Sequence, residues 1–253
     1  MQMKIIDSIL PLISILAAGK GWLAVDKPAG VSVHNATGRD ICSVASAFIQ
    51  REPAASGQMD MDLDFGVNPV HRLDKETSGI ILLAVTPAAF RFFSKQFESR
   101  QVKKQYVTIL HGRLETPQGN DPWGTWRWEL AKTAGGRLSP EGAGKRQAAE
   151  TRYRILERSA HYTMVEIEPL TGRRHQIRRH AKLAGHPWSV TPVTAPNGRQ
   201  ATSAGILRLT VSRCTRTRSS CGCRAQQRRK PSKPRLYQNR CGTCLIMTGE
   251  KRT

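Results

Sequence analysis

The stretch HRLDKETSG (71–79) sets one carboxylate, Asp74, beside His71 and Arg72 on a polar loop that feeds directly into the apolar run Ile80–Val85. A carboxylate on a loop anchored by a rigid strand is well placed to act as an acid, a base or a nucleophile. The plainer alternative is a capped turn, with Asp74 accepting from backbone amides near Thr77 and Ser78 and with His71 and Arg72 as solvated neighbours. A second cluster lies in RRHQIRRHAKLA (173–184), where His175, Arg178, Arg179 and Lys182 fall at i, i+3, i+4 and i+7. One helix face would then carry several cations, suited to phosphate or to a buried carboxylate, unless it is an ordinary exposed basic face. Tyr106, next to Lys103 and Lys104, is the third candidate. An aromatic among cations can stack on a nucleobase while the lysines follow phosphate, although core packing is the default for a tyrosine in a strand.

The elements that must hold these groups are legible from periodicity. GWLAVDKPAG (21–30) reads as a strand closed by a Pro-Ala-Gly turn, and Asp40 can cap a helix through ICSVASAFIQR with Ile41, Val44, Ala45 and Phe48 on one face. The acids of DMDLD (60–64) suggest a solvated loop, since the glycine and terminal glutamate of a calcium loop are missing. Thr86 and Pro87 open a second helix after the strand Ile80–Val85. An alternating segment KKQYVTILHG (103–112) follows, then a Gly/Trp-rich insertion to about residue 145 and two strands at 150–157 and 162–170. In the last of these, Met164, Val165, Ile167 and Leu170 would form the buried face, with Glu166 and Glu168 opposite. The basic helix should begin at Thr171 or Gly172 and stop at Gly185. Strands interleaved with a few helices predict an α+β fold rather than a regular βαβ series.

Four stretches in order, LAVDKPAGVSVH (23–34), HRLDKETSG, KKQYVTILHG and PLTGRRHQIRRHAKLAGHP (169–187), resemble the RluA-type pseudouridine synthases over about residues 20–187. The resemblance implies a mixed, largely antiparallel central sheet with flanking helices, and isomerisation of uridine to pseudouridine in ribosomal or transfer RNA. By the same resemblance, Asp74 is the catalytic aspartate and Arg72 enters the RNA stack near a flipped nucleotide. Tyr106 packs on the target base, Arg178 pairs with Asp74, and His175, Gln176 and Ile177 carry the motif that places Arg178. His71 joins these as a substrate-binding neighbour. The chemistry needs neither a metal nor another cofactor. RNA is the implied partner, and a cytoplasmic monomer with no membrane association is expected. Residues before 20 hold no recognisable S4-like RNA-binding module; their apolar run, broken by Asp7 and Pro11, reads as a segment packed on the body, with a vestigial signal peptide as the lesser alternative.

Composition divides the chain after Pro187. Residues 1–187 hold 26 Lys and Arg against 18 Asp and Glu, whereas residues 188–253 hold 14 against the single acid Glu250. Cys42 is the only cysteine of the first part; Cys214, Cys221, Cys223, Cys241 and Cys244 lie in the second. In the resembling family GHP is followed by a hydrophobic pair, Gly-Asp and Tyr-Gly, and this chain reads WSVTPVTAP instead. Codons compatible with WSVTPVTAP, read from one base earlier, spell Val-Val-Gly-Asp-Thr-Arg-Tyr-Gly-Thr. The same shifted frame turns TVSRCTRTRS (210–219) into a Leu-His-Ala strand. The expectation is therefore a catalytic domain over 1–187 and a frameshifted, non-native and disordered tail over 188–253. Such a tail would pack poorly, leave the sheet without its completing strands and make the chain unstable or inactive. A zinc site from CGC (221–223) and CGTC (241–244), and RNA binding by the basic run 224–235, are the weaker alternatives for it. A catalytically impaired RNA-binding protein is the competing function, and a glycoside hydrolase is disfavoured because no second carboxylate is evidently paired with Asp74.

Overall fold

A computed structural model of the chain describes residues 13–52, 59–135 and 139–188, together with the backbone of 193–194, 200–201 and 206–211. The first strands, β1 (Ser14–Gly19) and β2 (Trp22–Lys27), form a hairpin, and helix α1 (Ile41–Arg51) follows. The short β3 (Asn68–Pro69) and the apolar β4 (Ser78–Ala84) bracket the Asp74 loop, and α2 (Pro87–Glu98) leads into β5 (Val102–His111). Then come β6 (Trp123–Trp126), the pair β7 (Leu130–Gly135) and β8 (Ser139–Gln147), β9 (Thr151–Arg158), β10 (Tyr162–Pro169) and α3 (Gln176–Leu183). The backbone of β11 (Val193–Thr194), β12 (Gln200–Ala201) and β13 (Ile206–Val211) completes the set. One nine-stranded sheet runs β1-β2-β4-β13-β5-β10-β9-β6, with β3 added on β4. All its pairings are antiparallel except β13 with β4. The fold is α+β, with a mixed, largely antiparallel sheet and few helices.

Local sequence explains most of these elements. Asp40 caps α1 with its carboxylate accepting from the Ser43 amide at 2.9 Å and from the Ala36 amide at 2.8 Å. The helix buries Ile41, Val44, Ala45 and Ile49, the last in place of the expected Phe48, which is only partly covered. Thr86 caps α2, with Pro87 at its first helical position. The DMDLD acids serve their own loop: Asp62 accepts from the amides of Asp64 and Phe65, and Asp60 pairs with Lys20 at 3.0 Å. Two cores result, one around β1, β2, β4, α1 and the start of β5, the other where β5 and β10 meet α3, and Tyr106 packs against both.

Three expectations change. In β10 the inward residues are Thr163, Val165 and Ile167 in strict alternation, while Leu170 lies past the strand end and is 40% exposed. Glu168, expected outward, is buried, because Lys103 and Gln105 both bind its Oε1. Helix α3 starts at Gln176 rather than at 171–172, since His175 takes a left-handed backbone (φ 52) and leaves Arg173 and Arg174 on the approach.

Within the tail, the backbone of Ile206–Val211 lies between β4 and β5, pairing parallel to Ser78 and Gly79 and antiparallel to Val102–Val107. The five tail cysteines, the basic run 224–235 and the first 12 residues lie outside the described residues. Among those described, no helix is long and apolar enough to cross a membrane.

Because the buried Asp40 carboxylate satisfies two backbone amides, Asp40→Ala should cost about 1–2 kcal/mol of stability. Urea unfolding would show this as a lowered midpoint at unchanged slope.

Candidate active site

The Asp74 loop is fixed from below, not by its own carboxylate. The fully buried Lys27, at the end of β2, donates to the carbonyls of Pro28 (2.9 Å), Val31 (2.7 Å) and Lys75 (3.1 Å). The Gly30 amide reaches the same Lys75 carbonyl at 2.8 Å. Burial pulls the Lys27 ammonium down to about 8, partly offset by the negative charges of Glu76 and Asp74. In the sequence this lysine is marked only as the second of two charges, after Asp26, that end an apolar strand just before the Pro-Ala-Gly turn.

His71 ties the other end of the loop to β4. Its Nε2 accepts the Leu82 amide at 3.1 Å, and its ring stacks on Phe97 with centroids 4.7 Å apart. Accepting a backbone N–H requires the neutral ring protonated at Nδ1. Burial, with the nearby Lys104 charge, pushes its pKa down to about 3. The expected substrate-binding neighbour thus has its accepting nitrogen committed to the strand, although the residue does line the cavity.

The tight turn is closed by main chain, the Thr77 amide donating to the Asp74 carbonyl at 3.0 Å. The carboxylate faces the start of α3 instead: His175 Nε2 lies 3.6 Å from Oδ1 and Arg178 lies 3.6 Å from Oδ2. Both separations exceed hydrogen-bond length, so opposite charge is close while the oxygen lone pairs are not consumed by protein donors at this range. The carboxylate side chain is 28% exposed, neither sequestered nor freely solvated. The same Arg178 nitrogen is 3.4 Å from Glu76, and its guanidinium sits 4.7 Å above the Trp188 ring. Trp188 is held by a backbone bridge to Leu110. Nothing in its sequence context pointed to the site, since it is the first residue of the compositionally aberrant segment.

On α3 the cationic stripe splits. Arg178 turns to the carboxylates, but Arg179 is buried and donates to the carbonyls of Ala131 (3.0 Å), Arg174 (3.2 Å), Pro140 and Glu141. It pins the β7–β8 hairpin to the helix. Gln176 is buried too: its Oε1 accepts from Thr171 Oγ1 (2.7 Å) and the Arg173 amide (2.9 Å), and its Nε2 donates to the Glu150 carbonyl (2.9 Å) and to Thr151 Oγ1 (2.8 Å). Every hydrogen-bonding group of that side chain is engaged, so Gln176 anchors the helix start rather than offering itself to a substrate. Thr151 relays to His180 Nδ1 at 2.9 Å, and His180 Nε2 donates to the Trp128 carbonyl at 3.1 Å. Within the Gly/Trp-rich insertion Trp126 is buried against Tyr153, whereas Trp128 and most of its neighbours are exposed.

Strand β5 supplies the remaining wall. Its alternation puts Lys104, Tyr106 and Thr108 on the cavity side, and Lys103 and Gln105 on the side that meets Glu168. Burial and the Asp74 charge push the Tyr106 phenol well above its ordinary range, so it remains protonated. These surfaces enclose a cavity of about 490 Å³. His71, the exposed Arg72, Asp74, Tyr106, His175, Gln176, Ile177 and Arg178 all contribute to its lining, as do Lys104, Thr108 and Trp188. A semi-exposed carboxylate, an aromatic wall and cations at the rim can hold an anionic, planar-ringed ligand with one reactive carbon near the carboxylate.

Neutral His71 makes an acid prediction. An unfolded chain protonates this ring near 6.5 and the folded chain only near 3, so protons favour unfolding as pH falls through that window. Stability should drop by on the order of 1–2 kcal/mol between pH 7 and pH 5 from this group alone. Urea midpoints measured across that range should show a shallower loss in His71→Gln; an equal loss would remove His71 as its cause.

Comparison with known proteins agrees with this geometry. The RNA pseudouridylate synthase family matches residues 21–183. Ribosomal large subunit pseudouridine synthase C of Vibrio cholerae is 34% identical over 167 residues, 65% of this chain and 47% of that protein. Ribosomal large subunit pseudouridine synthase D of Nitrosomonas europaea is 33% identical over 204 residues, 79% of this chain and 55% of that one. The chain thus spans about half the length of these curated relatives. Among solved structures, human RNA pseudouridylate synthase domain containing 4 superposes with a TM-score of 0.57 at 23% identity, covering 74% of this chain and 70% of that one. Human RNA pseudouridylate synthase domain containing 1 gives 0.56 at 21% identity, covering 79% and 78%. With a family match across well over half its length, and with four motifs in RluA-type order, the chain belongs to the RNA pseudouridylate synthase family.

Proposed function

We propose that this chain isomerises uridine to pseudouridine in RNA, with Asp74 as the acting carboxylate and large-subunit ribosomal RNA as the substrate class. The observation that carries the reading is the Asp74 carboxylate, free of turn duties and set between His175 and Arg178 in a cavity walled by Tyr106. The ribosomal assignment rests on the names of the relatives.

The reaction conserves every atom. The bond from N1 of uracil to C1′ breaks, the base turns while held on Tyr106, and a bond forms between C5 and C1′. The proton displaced from C5 is lost and N1 gains one. Asp74 acts at the sugar, either attacking C1′ or removing a proton beside it. Arg178 balances the carboxylate charge, and Trp188 and Glu76 limit where its guanidinium can go. A uridine in structured RNA must leave its stack to enter such a cavity, and the exposed Arg72 at the rim is suited to fill the place it leaves. Gln176 and His71 serve as positioning residues, Ile177 and His175 as lining. The protein is taken to work as a cytoplasmic monomer.

We infer that the tail beyond Pro187 is translated out of frame, through a shift in the gene or in its sequencing, so that the catalytic domain is residues 1–187. Its composition, rich in Arg, Thr, Ser and Cys with Glu250 as the only acid, favours a second reading in which this chain binds RNA without turnover. Resequencing the locus tests the frame: an uninterrupted read through codon 188 with a well-folded full-length product contradicts it.

Pseudouridine mapping of unmodified large-subunit RNA incubated with the chain tests the activity. The expected result is modification at defined uridines that falls on the order of 10⁴-fold in Asp74→Ala. Equal modification with and without the carboxylate contradicts the enzyme reading, and binding without modification supports the second one.

A further inference from the structure

We propose that Lys104 is the residue in the cavity that receives a phosphate oxygen of the entering nucleotide; this rests on the RNA reading above. Three observations converge on it. First, Lys104 stands two residues before Tyr106 on the same face of β5 and lines the same cavity. Alternate residues of a strand are roughly 6.5–7 Å apart, so a base lying on Tyr106 would carry its sugar-phosphate within reach of a lysine at the neighbouring position.

Second, its charge has no counter-ion. Among the described residues Lys104 makes no ion pair or hydrogen bond, in contrast to Lys103 beside it, which is bound to Glu168 at 2.7 Å. What surrounds Lys104 worsens the imbalance: partial burial, and after it the Arg100 charge, pull its pKa down, and the His71 ring next to it is neutral. The arginines of the cavity are differently placed. Arg178 is shared by two carboxylates, Arg173 donates to the Ala148 carbonyl, and Arg72 and Arg174 are exposed. Lys104 alone among these five has neither partner nor full solvent, which is the state an arriving anion improves.

Third, the wall opposite the ammonium is bare. A Cβ placed on Gly172 would stand 3.9 Å from Lys104 Nζ, and Gly172 itself is exposed and lines the cavity. A larger residue there would occupy the approach, and glycine leaves it open to an oxygen ligand. The pairing of Tyr106 and Lys104 thereby divides the work of one strand face: the ring takes the base and the ammonium takes the backbone charge.

Binding of an unmodified large-subunit RNA transcript is measured over a series of salt concentrations for the parent chain, Lys104→Gln and Lys104→Arg, with turnover and unfolding midpoints alongside. Loss of one phosphate contact should weaken Lys104→Gln about tenfold. It should also reduce the slope of log K against log salt by about 0.7–0.9. KM should rise while kcat at saturating RNA stays within about threefold. Lys104→Arg should restore the slope, and the unfolding midpoint should not fall. An unchanged salt slope in Lys104→Gln, or a lost kcat with KM unaltered, would overturn the assignment while leaving the function intact. Failure of the parent chain to bind the transcript at all would overturn both.

Discussion

The site depends on a carboxylate and a guanidinium being brought from distant parts of the chain to 3.6 Å, close enough for charge to balance and too far for a direct hydrogen bond. Asp74 belongs to a loop between β3 and β4, and Arg178 to the first turn of α3, more than a hundred residues later. Neither element can shift without losing that relation, and each is fixed by buried polar groups. Under the loop, Lys27 gathers three carbonyls and His71 accepts the Leu82 amide. Under the helix start, Gln176 engages four partners and Arg179 four carbonyls. Hydrogen bonds to charged groups contribute about 1.5–3 kcal/mol each, and leaving such a group unpaired costs more. The polar residues around this site therefore act chiefly as its scaffold.

That division of labour corrects the simplest view of a basic helix. Four cations at helical spacing suggest one shared face, for phosphate, for a carboxylate or for solvent, yet left-handed His175 delays the helix and successive residues take different tasks. Arg178 meets carboxylates, Arg179 holds a hairpin, and His180 is sealed between Thr151 and Trp128. Spacing states which residues share a face; it does not say which face the fold covers. Here the β7–β8 hairpin covers one flank of α3, and its sequence, rich in Gly and Ala, carries no period that reveals this.

Legibility followed the range of the interactions. Asp40 and Thr86 caps, the β4 run and the Gly185 stop depend on neighbours within a few residues, and all are where the sequence suggests. The carboxylate at Asp74, the ring at Tyr106 and the guanidinium at Arg178 were visible because several motifs occur together in order. Lys27, Trp188 and the inward turn of Glu168 are not, because each also depends on a partner tens of residues away: Lys75, Leu110 and Lys103 respectively. The tail is instructive in the same way. Its composition is unlike the body's, yet the backbone of Ile206–Val211 pairs with both the strand carrying the Asp74 loop and the strand carrying Tyr106. Backbone pairing asks little of side-chain chemistry, so a segment of unusual composition can still occupy a sheet position.

A crystal structure of the chain bound to unmodified substrate RNA tests the central claim most directly. The account predicts a single uridine turned out of its stack, its base against Tyr106 and its C1′ beside the Asp74 carboxylate. RNA bound with that uridine still stacked, or with the cavity between Tyr106 and Asp74 vacant, would contradict it.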